Sequence, residues 1–126
     1  PEVFLLAYGN PTMRKARADF ATNFFGVAGY TMINNQGFAN ALDGVPAALQ
    51  SGAPIVVFCS SDEEYNQVAQ AIELIKKSAP HTIIVLAGYP KEMVEQLSKD
   101  GVQFFIHLRA NLYDALSRFN EMLGIV

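Results

Sequence analysis

The chain has 126 residues, of which 51% are hydrophobic and 17% charged, so it is long enough for one domain with a substantial core. Its formal net charge is −3 and its nine basic residues are scattered apart from one cluster, which argues against nucleic acid as a partner. No apolar run approaches the roughly 20 residues that span a bilayer, so no membrane segment is expected.

The cysteine and histidine content limits metal chemistry. Cys59 lies within an apolar run and has no partner for an internal disulfide, which predicts a buried small hydrophobe in a reducing cytoplasm. His81 and His107 are far apart in the sequence, so no metal site built on cysteine or histidine is expected. The composition therefore predicts a cytoplasmic protein that holds no metal.

Apolar runs of strand length alternate five times with segments of helical periodicity. The predicted strands cover residues 3–7, 30–33, 55–59, 82–86 and 102–106. The predicted helices run from Asn10 or Thr12 to Gly29, over 38–50 with Gly44 and Pro46 as weak points, over 60–79, over 91–99, and from a cap at Asn111 onward. This alternation predicts an α/β fold, a flavodoxin-like (Rossmann-type) three-layer sandwich with a five-stranded parallel sheet in the order 2-1-3-4-5.

Ligands of such folds bind at the carboxyl ends of the strands, and the turns there lack familiar cofactor motifs. No acidic pair follows strand one, so a magnesium site of the receiver type is excluded. Neither a Gly-x-Gly-x-x-Gly loop nor a hydroxyl-rich phosphate loop is present, which argues against dinucleotide and flavin. Ser60 and Ser61 are predicted to be helix caps. Arg14, Lys15 and Arg17 are predicted to form a solvated helix face, with a docking patch for an acidic partner as the alternative.

The stretch PEVFLLAYGNPTMRKARADFATNFFGVAGY resembles the C-terminal domain of the small (β) subunit of methylmalonyl-CoA mutase. The matching strand residues are Pro1, Val3, Phe4 and Leu5, and the matching helix residues are Arg17, Ala18, Phe20, Ala21, Asn23, Phe24 and Phe25. The later stretches PIVVFCSSDEEY, with Asp62 and Tyr65, and IIVLAGYP resemble the third and fourth strands of that domain with their turns.

The resemblance implies a degenerate cobalamin site. The related cobalamin-binding domains of the catalytic subunit carry Asp-x-His-x-x-Gly after strand one, Ser-x-Leu after strand three and Gly-Gly after strand four. Here the first turn has neither the acid nor the histidine, Met13 or Arg14 falls near the histidine position, and Tyr89 replaces the second glycine. The positions of the degenerate site are Gly9, Asn10, Thr12, Met13, Ser60, Ser61 and Gly88.

By the same resemblance, the chain is a single domain over residues 1–126, excised from a longer chain with an N-terminal (β/α)8 barrel. It would be a non-catalytic assembly domain without a cofactor of its own. Its partner would be the catalytic large subunit, which holds adenosylcobalamin and interconverts methylmalonyl-CoA and succinyl-CoA in propionate metabolism.

Two alternatives remain open at the level of the sequence. In one, the domain binds a different small molecule or nucleotide at the strand ends, in a pocket lined by Gly9, Asn10, Thr12, Ser60, Ser61 and Gly88. In the other, the domain still binds cobalamin and uses Met13 as an unusual cobalt ligand, because a thioether is a soft ligand.

Overall fold

The structure, a computed structural model, describes residues 1–107 and 121–124. Its strands are β1 Glu2–Ala7, β2 Thr31–Ile33, β3 Ile55–Cys59, β4 Ile83–Ala87 and β5 Phe104–Ile106. Its helices are α1 Pro11–Gly26, α2 Val45–Ser51, α3 Val68–Ser78 and α4 Val94–Asp100. In this described part of the chain, none of the helices combines the length and the apolar character needed to cross a membrane. The predicted cap at Asn111 and most of the predicted last helix fall outside the described residues.

The five strands form one parallel sheet in the order β2-β1-β3-β4-β5, which confirms the predicted fold class and strand order. Every residue of β3 and β4 is buried, as expected for inner strands that are covered by helices on both faces. Their Val- and Ile-rich sequences suit this position because β-branched side chains pack well on a pleated surface.

The sheet divides the core into two layers. Successive strand residues point to opposite faces, so Leu6 of β1 lies in the core layer that includes α2, α3 and α4, whereas Leu5 lies in the layer that includes α1. On the α1 side, Phe24 and Phe25 contact each other edge to face with ring centroids 5.2 Å apart. They lie between the helix and the sheet.

The segment from residue 38 to residue 50 differs from the predicted helix. Phe38 instead forms an isolated parallel bridge with Tyr8, and α2 begins only at Val45 after a short 3-10 turn at Leu42–Gly44. Pro46 lies in the first turn of α2, where backbone N–H groups have no acceptor within the helix. The proline therefore costs the helix no hydrogen bond, and it begins α2 rather than kinking it. At Gly44 a Cβ would come within 2.6 Å of the Leu6 side chain, so this close contact needs glycine.

Two other predicted helices begin late. Asp62–Gln67 forms a 3-10 segment, and regular α-helix starts only at Val68. Residues 91–93 form a turn ahead of α4. The strand bounds agree with the predicted ones to within two residues.

We expect Leu6→Ala to lower the free energy of unfolding by about 2–5 kcal/mol, because Leu6 is fully buried and its loss leaves a cavity. Urea denaturation followed by circular dichroism measures the change. Leu74→Ala is the matched control: Leu74 lies on α3 with nearly half of its surface exposed, so its truncation should cost much less. Equal losses for the two variants would contradict the described packing of β1.

Candidate functional site at the carboxyl edge of the sheet

The turn after β1 joins the sheet to α1 through a glycine and an asparagine cap. Gly9 has φ +79°, a conformation that favours glycine. The Asn10 side chain accepts a hydrogen bond from Met13 N at 3.0 Å, so Asn10 rather than Thr12 caps the helix. Pro11 occupies the first helical turn.

The carboxylate of Glu64 fills the hollow above Gly9. A Cβ on Gly9 would lie 2.1 Å from Glu64 Oε2, so the glycine makes room for the acid. Oε1 accepts hydrogen bonds from Asn10 N at 3.0 Å and Ser61 Oγ at 2.7 Å, and Ser60 Oγ lies 3.0 Å away. The Asn10 N–H, followed by the Ser61 hydroxyl, lowers the pKa of Glu64. The turn after β3 is thereby tied to the turn after β1.

Ser61 occupies the predicted N-cap position of the 3-10 segment, whereas Ser60 lies one residue before it. Ser61 precedes the 3-10 segment, but its side chain makes no capping hydrogen bond there. Both hydroxyls reach acceptors instead, because the Glu64 carboxylate lies within reach and the Tyr8 carbonyl is 2.7 Å from Ser60 Oγ. A charged carboxylate is a strong acceptor for a hydroxyl proton, so these bonds hold the turn after β3 against Glu64.

The guanidinium of Arg17 crosses from α1 to the end of β4. Its Nη1 donates to the Ala87 carbonyl at 2.6 Å, and its Nη2 lies 3.0 Å from Asp62 Oδ1. A Cβ on Gly88 would lie 2.1 Å from Nη1, so the guanidinium occupies the hollow above this glycine. The Arg17 side chain is only 21% exposed.

The hydroxyl of Tyr65 links the ends of β3 and β4 beneath Arg17. It donates to the Ala87 carbonyl at 2.5 Å and accepts from Ser60 N at 3.0 Å. The Arg17 guanidinium carbon lies 5.8 Å from the ring centroid, a cation–π arrangement. Burial of the fully enclosed ring raises the pKa of Tyr65, so the hydroxyl stays protonated and remains a donor.

Arg14 likewise bonds to backbone carbonyls. Its Nη1 lies 3.2 Å from the Gly9 carbonyl and 3.1 Å from the Phe38 carbonyl, and a Cβ on Gly37 would lie 2.8 Å from its Nε. Of the predicted solvated trio, Lys15 is solvated, in an exposed ion pair with Asp19 at 2.9 Å. The prediction of a solvated helix face is therefore wrong for Arg14 and Arg17, because Arg14 bonds to loop carbonyls and Arg17 to the last carbonyl of β4.

Sequence reasoning did not single out Glu64 or Tyr8 and named Tyr65 only as a family-like residue. The Tyr8 hydroxyl donates to the Glu64 carbonyl at 2.6 Å, so the two missed residues are also joined to each other. One sequence signal was available: Glu64 follows Ser61 by three residues, the spacing at which an acid accepts a hydrogen bond from the backbone N–H of an N-cap residue.

A cavity of about 750 Å³ lies between α1 and the carboxyl ends of β4 and β5. The described residues that line it are Ala16, Arg17, Phe20, Asp62, Gly88, Tyr89, Lys91, Ile106 and His107. Of the seven predicted site positions, Gly88 belongs to this lining, whereas the two serines are buried behind Glu64. The structure therefore does not bring the predicted positions together around one open pocket.

The described residues contain neither a group of metal-binding side chains nor an accessible thiol. Within residues 1–107 and 121–124, no three His, Cys, Asp or Glu side chains form a group that could hold a metal ion. Cys59 is fully buried, and burial raises the pKa of its thiol, which agrees with the prediction of a small hydrophobe.

We expect Glu64→Gln to lower the free energy of unfolding at pH 7 by about 1–2 kcal/mol, because a neutral amide accepts weaker hydrogen bonds than a carboxylate. The folded state lowers the pKa of Glu64 from its ordinary 4.5, so its contribution is present above pH 4.5 and is lost as the pH falls through the folded value. Urea unfolding at pH 7, 5, 4 and 3 should therefore show the two proteins converging at low pH. Glu63→Gln, at an exposed neighbour, is the control. A difference that stays constant down to pH 3 would exclude the carboxylate as its source.

We expect Tyr65→Phe to lower the free energy of unfolding by about 1–3 kcal/mol, because it leaves the buried Ser60 N–H without its acceptor. Thermal and urea unfolding measure the loss. Tyr89→Phe removes the same hydroxyl from a half-exposed ring and should change stability by less than about 0.5 kcal/mol. Similar values for both variants would show that the hydroxyl does not link β3 and β4.

Solved structures similar to this chain share its fold. A protein assigned to pilus assembly, cpaE from Burkholderia thailandensis, superposes with a TM-score of 0.70 at 18% identity, covering 95% of this chain and 98% of that chain. A CheY-like protein, tadZ from Pseudomonas aeruginosa, superposes with a TM-score of 0.67 at 14% identity, covering 100% and 96%. At these identities the likeness supports the α/β architecture alone.

Sequence relatives identify the family. No family model matches the chain. The methylmalonyl-CoA mutase small subunit of Porphyromonas gingivalis (strain ATCC BAA-308 / W83) is 43% identical over 125 residues, which cover 99% of this chain and 20% of that subunit. The small subunit of Streptomyces virginiae is 35% identical over 88 residues, covering 70% of this chain and 14% of the relative. The chain spans about a fifth of the length of the relatives it matches, or less. It belongs to the family of methylmalonyl-CoA mutase small subunits, as the resemblance of its first strand and helix predicted.

Proposed function

We propose that the chain is a non-catalytic structural and assembly domain of a methylmalonyl-CoA mutase small subunit. Its partner would be the catalytic large subunit, which would carry adenosylcobalamin and interconvert methylmalonyl-CoA and succinyl-CoA in the cytoplasm. The similarity to small subunits supports the family, and the geometry of the strand ends supports the absence of cofactor binding.

One observation carries this proposal: the chain's own charged side chains occupy the hollows above the strand-end glycines. Glu64 fills the space above Gly9, and Arg17 fills the space above Gly88. A ligand entering either hollow would have to displace a group that already makes several hydrogen bonds. Leaving such partners unsatisfied costs about 1–3 kcal/mol for each group.

The residues at the position of the cobalt ligand do not fit the cofactor. Arg14 is a permanent cation, and its guanidinium already bonds to the Gly9 and Phe38 carbonyls, so it cannot coordinate a metal ion. Met13 offers a thioether but not the imidazole nitrogen of a hydrogen-bonded histidine. The chemistry of this turn therefore supports a domain without cobalamin.

Titration with cobalamin, followed by absorbance, tests the binding half of the proposal. We expect the chain to leave the cobalamin spectrum unchanged, with the catalytic large subunit as the positive control. Tight, stoichiometric binding with a base-off spectrum would overturn the proposal and would favour Met13 as an unusual ligand.

Removal of the domain from the intact small subunit tests the assembly half. We expect the shortened subunit to lose co-purification with the catalytic subunit, whereas the Glu63→Gln subunit, changed at one exposed position, should retain it. Undiminished co-purification of a folded, shortened subunit would show that assembly does not need this domain.

A further inference from the structure

We propose that the cavity between α1 and the ends of β4 and β5 binds a small ligand that combines a flat ring with an anionic group such as a phosphate. This inference goes beyond the assembly role. It also differs from the nucleotide pocket predicted from the sequence, with which it shares only Gly88.

The size and construction of the cavity suit a small molecule. Its volume of about 750 Å³ falls within the range of roughly 300–1,000 Å³ that is typical of ligand sites. Its described walls come from α1, from the segment after β3, from the turn after β4 and from the end of β5. Apolar side chains with a few polar groups are the usual lining of such sites.

Tyr89 offers a platform for a ring. Its side chain is 48% exposed, yet its ring is held edge-on against Phe105, with centroids 5.8 Å apart, and lies 4.9 Å from the His107 ring. Phe20 and Ile106 supply further apolar surface in the same cavity. A large aromatic ring that is exposed but fixed by its neighbours can stack on a planar ligand with little loss of side-chain entropy.

Lys91 and Arg17 offer the charge for an anion. Lys91 is exposed and follows Tyr89 by two residues. Arg17 is anchored to the Ala87 carbonyl through Nη1, whereas its Nη2 faces Asp62, which is 48% exposed. An anion could take the place of Asp62 on Nη2 while the anchor through Nη1 stays intact. A phosphate oxygen is well suited to a guanidinium N–H.

This arrangement makes Asp62 a competitor of the ligand. The carboxylate and an incoming phosphate would use the same Arg17 nitrogen, and both carry negative charge. Removal of the Asp62 charge should therefore strengthen binding, which is unusual for a residue that lines a binding site. A merely structural ion pair gives no reason for such a gain.

Calorimetric titration of the chain with adenosine monophosphate, adenosine and inorganic phosphate tests the proposal. We expect a dissociation constant for adenosine monophosphate of about 10 µM to 1 mM, with both fragments binding at least tenfold more weakly. Lys91→Gln should weaken adenosine monophosphate binding about threefold to tenfold, and Asp62→Asn should strengthen it by a similar factor. Tyr89→Ala should weaken the binding of adenosine monophosphate and leave the binding of inorganic phosphate unchanged.

The matched control variants make the same charge changes at positions outside the cavity. Lys77→Gln, on α3, and Asp43→Asn, in the 3-10 turn before α2, are both exposed and should leave the affinity unchanged. Thermal unfolding of each variant verifies that it remains folded.

Three results would overturn the proposal: binding of adenosine monophosphate weaker than about 10 mM, equal affinity for the nucleotide and phosphate, or controls that match the cavity variants. These results would leave the assembly proposal standing, because it depends on cobalamin titration and co-purification. Base-off cobalamin binding would overturn the assembly proposal alone.

Discussion

The carboxyl edge of this sheet depends on the Ala87 carbonyl, which accepts hydrogen bonds from both Tyr65 and Arg17. A parallel sheet ends in carbonyl groups that no further strand can satisfy, and cofactors often occupy that edge in related folds. Here a buried tyrosine from the segment after β3 and an arginine from α1 meet at one oxygen. They tie β3, β4 and α1 together through one backbone acceptor.

The fold was predictable from the sequence because its signals are local and periodic. The continuous apolar runs of β3 and β4 indicate buried strands, and the amphipathic pattern of α3 indicates a helix. The alternation of strands and helices along the chain implies a parallel sheet. The late start of α2 was harder to foresee. Phe38, the first residue of the predicted helix, instead forms a bridge with Tyr8, a contact between residues 30 positions apart that no local pattern reveals.

The site was less predictable, because its residues act through partners that are distant in sequence. Arg17 on a helix surface suggests a solvated cation, and only the position of Ala87, 70 residues away, turns it inward. Ser61 occupies the predicted N-cap position, but its hydroxyl bonds to the Glu64 carboxylate and makes no capping hydrogen bond. Residue type and spacing could identify the edge where these groups meet, but not the pairs that they form.

The occupied glycine hollows have a consequence for the evolution of this family. If an ancestor held a cofactor at this edge, restoring the lost turn residues would not reopen the site, because Arg17 would still lie above Gly88. Replacing Arg17 first would expose the Ala87 carbonyl and leave Asp62 without its ion pair, before any ligand could compensate. Each single step back would thus reduce stability without restoring function. The loss of the cofactor site would then be hard to reverse, which favours retention of the domain for other roles.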